Sequence, residues 1–151
     1  MQSVIIADTS CLVILSKINK LHILNDLYGN IIITTEVAAE FGEEIPKWID
    51  VRDIKNQISQ TLINSSIDLG EASSIALAME FTDPLLILDD LKARNFAESL
   101  NLSFTGTIGV LMNAKRKQII PNLKAVFSQI EKTDFRISKN LINQALKLSG
   151  E

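Results

Sequence analysis

Five carboxylates stand where an apolar run gives way to a helix or lie on a helix's first turns. Asp8 follows Val4-Ile5-Ile6-Ala7, Glu40 lies within Val37-Ala38-Ala39-Glu40-Phe41, Glu71 follows Gly70, and Asp89-Asp90 follow Leu85-Leu86-Ile87-Leu88. Each has an ordinary explanation. An Asp before a helix commonly caps it, a first-turn Glu is favoured by the helix dipole, and Glu36 and Glu40, four residues apart, share a helix face. Together they are costly, because two carboxylates about 4 Å apart repel by roughly 4 kcal/mol at an effective dielectric near 20. Gathered in one cleft, they would need a counter-ion or raised pKa values. The single cysteine, Cys11, sits in Cys11-Leu12-Val13-Ile14-Leu15 and reads as a buried small hydrophobe. The single histidine, His22, lies between Leu21 and Ile23 and reads as a partly buried surface residue. With hard oxygen donors alone, the cation expected is Mg²⁺ or Mn²⁺ rather than zinc. Acid-only sites of this kind activate water and steady a leaving oxygen in phosphodiester hydrolysis.

The elements that must position these acids are organised around Pro84 to Arg94. Four apolar residues entered through Pro84 and left through two carboxylates suit a short strand buried on both faces of a parallel sheet. Carboxyl ends of strands are where open α/β sheets bind ligands. Further strands are expected at Ser3 to Ala7, Ile31 to Thr34 and Ser103 to Thr105, with an edge strand near Ile49 to Ile54. Between them, helical spacing marks Leu12 to Ile18, Leu21 to Leu27, a helix capped by Thr35, a mixed Gln57 to Ile67, and a small-residue helix with Ala72, Ile75, Ala76 and Met79 on its packing stripe. Leu91 to Leu100 follows the acidic pair. Gly106-Thr107-Ile108-Gly109 opens a helix running to Lys115-Arg116-Lys117, Pro121 starts another, and Ser138 caps the last.

At 151 residues the chain is about one domain, 1–151, with no repeat or low-complexity tract. A net charge of −3 argues against a broadly cationic coat for nucleic acid but allows a local basic stripe. No apolar run is long enough to span a membrane. The strand-like start with no basic leader and the lone buried cysteine together lead one to expect a cytoplasmic protein.

In order and spacing, Val4-Ile5-Ile6-Ala7-Asp8-Thr9-Ser10, Val37-Ala38-Ala39-Glu40-Phe41 and Gly70-Glu71-Ala72 resemble the PIN-domain ribonucleases, which include VapC-like toxins of toxin-antitoxin pairs. Leu88-Asp89-Asp90-Leu91-Lys92-Ala93-Arg94 and Thr105-Gly106-Thr107-Ile108-Gly109 look like one prokaryotic branch of that family. The resemblance implies a three-layer α/β/α sandwich around a mostly parallel sheet. It also implies metal-dependent endonucleolytic cleavage of single-stranded RNA. By the same resemblance Asp8, Glu40 and Glu71 correspond to the first three site acids and Asp90, or else Asp89, to the fourth, where Leu88 replaces the threonine of the commoner pattern. Asp8, Glu40, Glu71 and Asp90 are thus the expected catalytic set, and Asp8, Glu71, Asp89 and Asp90 the expected metal ligands. Thr9, Ser10, Lys92, Arg94, Thr105 and Thr107 are expected to meet substrate, with Lys115, Arg116 and Lys117 as further phosphate contacts. A homodimer is implied too, and the leucine- and isoleucine-rich Leu12 to Leu27 helices offer a face for it; an antitoxin is a further expected partner.

Two other metal-dependent folds fit less well. A receiver domain places its paired aspartates after the first strand and a haloacid-dehalogenase-like phosphatase places Asp-x-Asp there, whereas this chain has Asp8-Thr9-Ser10. A PIN-like binding or regulatory module that keeps its acids without catalysis stays open as the alternative function.

Overall fold

A computed structural model describes residues 4–64 and 66–151, apart from the side chains at 58, 60 and 62. Ser3, expected to open the first strand, and Ser65, expected in a loop, lie outside the described residues. The strands are β1 (Val4–Ala7), β2 (Ile31–Thr34), β3 (Ile49–Arg52), β4 (Pro84–Ile87) and β5 (Ser103–Thr105). They form one sheet in the order β3-β2-β1-β4-β5, with every pairing parallel. The strand expected at Leu85 to Leu88 begins and ends one residue earlier, and the expected edge strand ends at Arg52.

Alternation along the strands divides the apolar residues between two layers, as a period of two requires. Ile5, Ala7, Ile31, Ile33 and Ile87 face a cluster with α1 (Thr9–Lys17), α2 (His22–Tyr28), α3 (Thr35–Phe41), α7 (Thr107–Arg116), α8 (Leu123–Glu131) and α9 (Lys139–Leu148). Ile6, Leu86 and Leu88 face a second cluster with α4 (Gln57–Asn64), α5 (Leu69–Ala78) and α6 (Leu91–Ser99). The result is the expected three-layer α/β sandwich.

Helix α5 is buried all round from Ala72 to Ala78, so the single packing stripe expected there is replaced by burial on every side, and Met79 is exposed beyond the helix end. Small side chains make this possible by letting the sheet, α3 and α4 approach closely. The apolar residues Leu12, Ile14, Leu15, Ile18, Ile23 and Leu24 are buried within the chain. Most of the apolar surface of these helices is thus used in the core, with Val13, Leu21 and Leu27 left partly exposed.

Two helix starts also differ from expectation. Thr34, not Thr35, caps α3: its Oγ1 accepts a hydrogen bond from the Val37 amide at 3.0 Å and pairs with Ser73 Oγ at 2.7 Å, tying α3 to α5. Helix α8 starts at Leu123 rather than at Pro121, and Asn122 caps it through the Ala125 amide at 2.8 Å. Ser138 stands at the cap position of α9 without a capping side-chain bond. The Glu151 carboxylate accepts from Lys115 Nζ at 2.7 Å and from the Leu123 and Lys124 amides at 2.7 and 3.1 Å, fastening the chain beyond α9 to α7 and α8. Burial works against ionisation of Glu151, but the Lys115 ammonium and the two amides outweigh it and hold the carboxyl below its usual range.

Thr34→Val keeps the volume at this fully buried position and removes both hydrogen bonds. It is expected to cost about 1 to 2 kcal/mol, read as a lower urea midpoint with an unchanged slope. A midpoint equal to that of the wild type would show that the Thr34 hydroxyl holds nothing together.

Candidate active site

The sheet order reverses between β1 and β4: from β1 the chain builds outward to β2 and β3, and from β4 to β5 on the other side. The crevice beyond the carboxyl ends of two such strands is where open α/β sheets hold ligands. Ala7 pairs with Ile87 at the end of the ladder, and the Asp8 amide still donates to the Ile87 carbonyl at 3.1 Å. Asp8 and Asp89 therefore leave adjacent strands at this crevice.

Asp8 occupies the N-cap position of α1 with extended backbone, yet its side chain makes no capping hydrogen bond. The carboxylate is turned into the fold, only 3% exposed, and its Oδ1 is buried with no hydrogen-bond partner. Burial is the main reason its pKa rises from 3.8 to about 7; the Thr9 amide opposes this, while the charges of Glu40, Asp89 and Asp68 add to it. Glu71, in the first turn of α5, is raised to about 7 as well, by burial first and then by the charges of Asp8, Asp90 and Asp68, with the Asp68 amide opposing.

Glu40 reaches the same place through a glycine. A Cβ on Gly70 would stand 2.1 Å from Glu40 Oε1, so only glycine lets this carboxylate lie against the first turn of α5. Thr9 Oγ1 donates to Glu40 Oε2 at a long 3.4 Å. Asp68, an acid that the sequence reading passed over, stands at the N-cap of α5 without a capping bond, and its charge acts on both Asp8 and Glu71. Its signal was the spacing Asp68-x-x-Glu71, which places two acids on one side of a helix start.

Asp89 and Asp90 part company. Asp89 accepts from the Thr107 amide at 2.7 Å through Oδ1 and from Thr107 Oγ1 at 2.5 Å through Oδ2, so both its oxygens serve the start of α7. Asp90 caps α6 through Oδ2 alone, on the Ala93 amide at 3.0 Å, and its charge bears on Glu71. Arg94 Nε donates to the Leu88 carbonyl at 2.7 Å, and its guanidinium lies over the Phe104 ring, 5.4 Å from the centroid. A Cβ on Gly106 would meet Arg94 Nη2 at 2.2 Å and Asp89 Oδ1 at 2.8 Å, and one on Gly109 would meet Thr105 Oγ1 at 2.2 Å. The glycines of this loop thus make room for side chains, with no left-handed backbone at either.

Of the other residues expected to bind substrate, Thr107 and Ser10 line a cavity with Asp89, whereas Thr105 packs against Gly109. Lys92 is exposed on α6. Lys115 is engaged by Glu151 and by the Ser149 carbonyl at 2.7 Å, and Arg116, exposed, donates to Asn113 at 2.6 Å. His22 is exposed and pairs with Asp26. Cys11 is buried, and burial, reinforced by the charge of Asp89, pushes its thiol up to about 12.

The donor set is all carboxylate oxygen, and the buried unpartnered Oδ1 of Asp8 among like charges is what a hard divalent cation would relieve. As the side chains lie, no three acids, histidines or cysteines among the described residues stand close enough to hold one ion. The acids surround the crevice without closing on a point.

A family model described as PIN domain matches residues 4–151, and the chain belongs to that family. PIN domains are generally nucleases, and such nucleases generally use divalent metal ions. No curated protein and no solved structure matches the chain.

The folded state holds a proton on Asp8 that the unfolded chain releases between pH 3.8 and about 7. The stability of metal-free protein should therefore fall as pH rises through that window and stay low above it. Asp8→Asn should flatten this slope: it should leave stability near pH 4 unchanged and raise it by about 0.5 to 2 kcal/mol at pH 8. Denaturant titrations at the two pH values test this, and equal stability of mutant and wild type at pH 8 would return Asp8 to the role of a helix cap.

Proposed function

We propose that the chain is an endoribonuclease that hydrolyses single-stranded RNA with Mg²⁺ or Mn²⁺. The observation that carries this reading is the buried Asp8 carboxylate at the switch point of the sheet, its Oδ1 without a partner, with the charges of Glu40, Asp68 and Asp89 acting on it and those of Asp8, Asp68 and Asp90 on Glu71. Asp8, Glu71 and Asp90 would hold the cation. Asp8 is fixed by burial, whereas Glu71 is half-buried and Asp90 exposed, so these two can turn toward it. When bound, the ion would lower the pKa of water and offset charge on the leaving oxygen. Glu40, seated on Gly70 beside Thr9, would orient water or accept its proton. Asp89 would position the site through Thr107, with Ser10, Thr9 and the Thr107 hydroxyl at the substrate side and Arg94 and Lys92 as phosphate contacts. A toxin role with an antitoxin partner, and a homodimer, rest on the family likeness.

A binding module without catalysis is the reading favoured by one observation, that the acids do not converge as they lie. Cleavage of a mixed RNA pool with Mn²⁺, abolished by EDTA, separates the two; RNA binding with no cleavage under any divalent metal would establish the module. Asp90→Asn should keep the α6 cap, because asparagine caps about as well as aspartate. It should therefore melt no lower than the wild type without metal while losing roughly 100-fold or more in cleavage and most of its calorimetric response to Mn²⁺. Asp89→Asn should instead lose about 1 kcal/mol of stability through Thr107. The reverse pattern would make Asp89 the ligand.

A further inference from the structure

Beside the acids, a cavity of about 260 Å³ opens between α1, the start of α7 and residues 135–138. Its lining is apolar at Ile14, Ile108, Phe135, Ile137 and Leu141 and polar at Ser10, Asp89 and Thr107. The volume lies below the range of about 300 to 1,000 Å³ typical of drug-sized ligands, so it suits a single planar ring system and no helix or strand. Phe135 is held in place: Lys17 lies over its ring, 5.2 Å from the centroid, and pairs with Asp134. At the rim, Arg136 Nη1 donates to the Thr133 and Phe135 carbonyls at 3.1 and 3.3 Å, which presents an exposed guanidinium beside an apolar slot.

We propose that this cavity receives the unpaired base of the nucleotide next to the scissile phosphate, with Arg136 on the neighbouring phosphate. The inference rests on the nuclease reading and extends it to substrate selection. Asp89 and Thr107 belong to the acid site and to the cavity lining alike, so a nucleotide seated here adjoins the acids. Aromatic and apolar side chains stack any base, and a base enters such a slot only when it is out of a duplex. The cavity therefore selects single strands by shape, with little demand on sequence.

The test is equilibrium binding, in EDTA, of a dye-labelled uridine pentamer to the wild type and to Leu141→Trp, whose indole fills the slot from a half-exposed helix position. Ser138→Tyr, at the cap position of α9 in the same lining, is the second variant should the first fail to fold. Binding should weaken roughly tenfold in either variant. One abasic position in the pentamer should weaken the wild type by a similar factor and the variant no further, because both changes remove the same contact. Cleavage with Mn²⁺ is measured in parallel. A wild type that binds with this pattern but cleaves nothing would sink the nuclease reading and leave the base slot standing. A wild type that cleaves while abasic penalties are the same in both proteins would overturn the slot alone, as would variants that bind like the wild type. No binding of the pentamer by the wild type would overturn it too.

Discussion

A carboxylate buried at the end of the central strand, with one oxygen facing no donor, is the constraint around which the crevice is arranged. Desolvating Asp8 disfavours its charged form, and the neighbouring Glu40, Asp68 and Asp89 disfavour it further. Two packed layers on the sheet support this unfavourable arrangement. Ala7 and Leu88, both fully buried, fix the strand ends on either side. A helix cap would have satisfied the carboxylate at almost no cost, since Asp8 already has the extended backbone of a cap. Its side chain turns the other way.

The remaining acids are held by contacts between segments far apart in the chain. Asp89 bridges 18 residues to Thr107, Arg94 and Asp89 crowd the α-carbon of Gly106, and Glu40 lies on Gly70 across 30 residues. In each case one partner is a carboxylate or guanidinium and the other a glycine or a helix-starting amide. A charged group can approach backbone that closely only where no Cβ intervenes. Any side chain larger than hydrogen at Gly70 would force the Glu40 carboxylate to shift, and one at Gly106 would do the same to Arg94 and Asp89, although neither glycine needs unusual torsion angles.

Division of labour between Asp89 and Asp90 follows from helix ends. Both follow β4 and both accept from a helix-starting amide, but the helices differ: Asp89 serves α7, whose first residue also packs beside Cys11 and α1, while Asp90 serves its own α6. Spending both oxygens on Thr107 makes Asp89 a fixed part of the frame. Asp90 engages one oxygen and sits at the solvent edge, facing Glu71.

The sequence by itself marked the strands and, for β1 and β4, their burial and the acids at their ends, because these are local properties: an apolar run of strand length and a carboxylate on exit. It marked Gly70, Gly106 and Gly109 as loop or helix-start glycines without showing why they are glycines, since the side chains that need the space come from elsewhere in the chain. It could not separate Thr34 from Thr35 as the cap of α3, or show that α8 starts at Leu123 after an Asn122 cap rather than at Pro121, because that choice depends on which hydroxyl or amide faces the first turn. It missed Asp68 because an aspartate before a helix is ordinary until Asp8 and Glu71 are seen to lie beside it. It could not show how much of the apolar surface from Leu12 to Leu27 the core would use, because residue types alone do not count the neighbours that α7, α8 and α9 supply. Tertiary structure decided these points for one reason: whether a carboxylate is a cap or a site depends on what is brought near it across the chain, and for Asp8 that is three other acids and no donor for Oδ1.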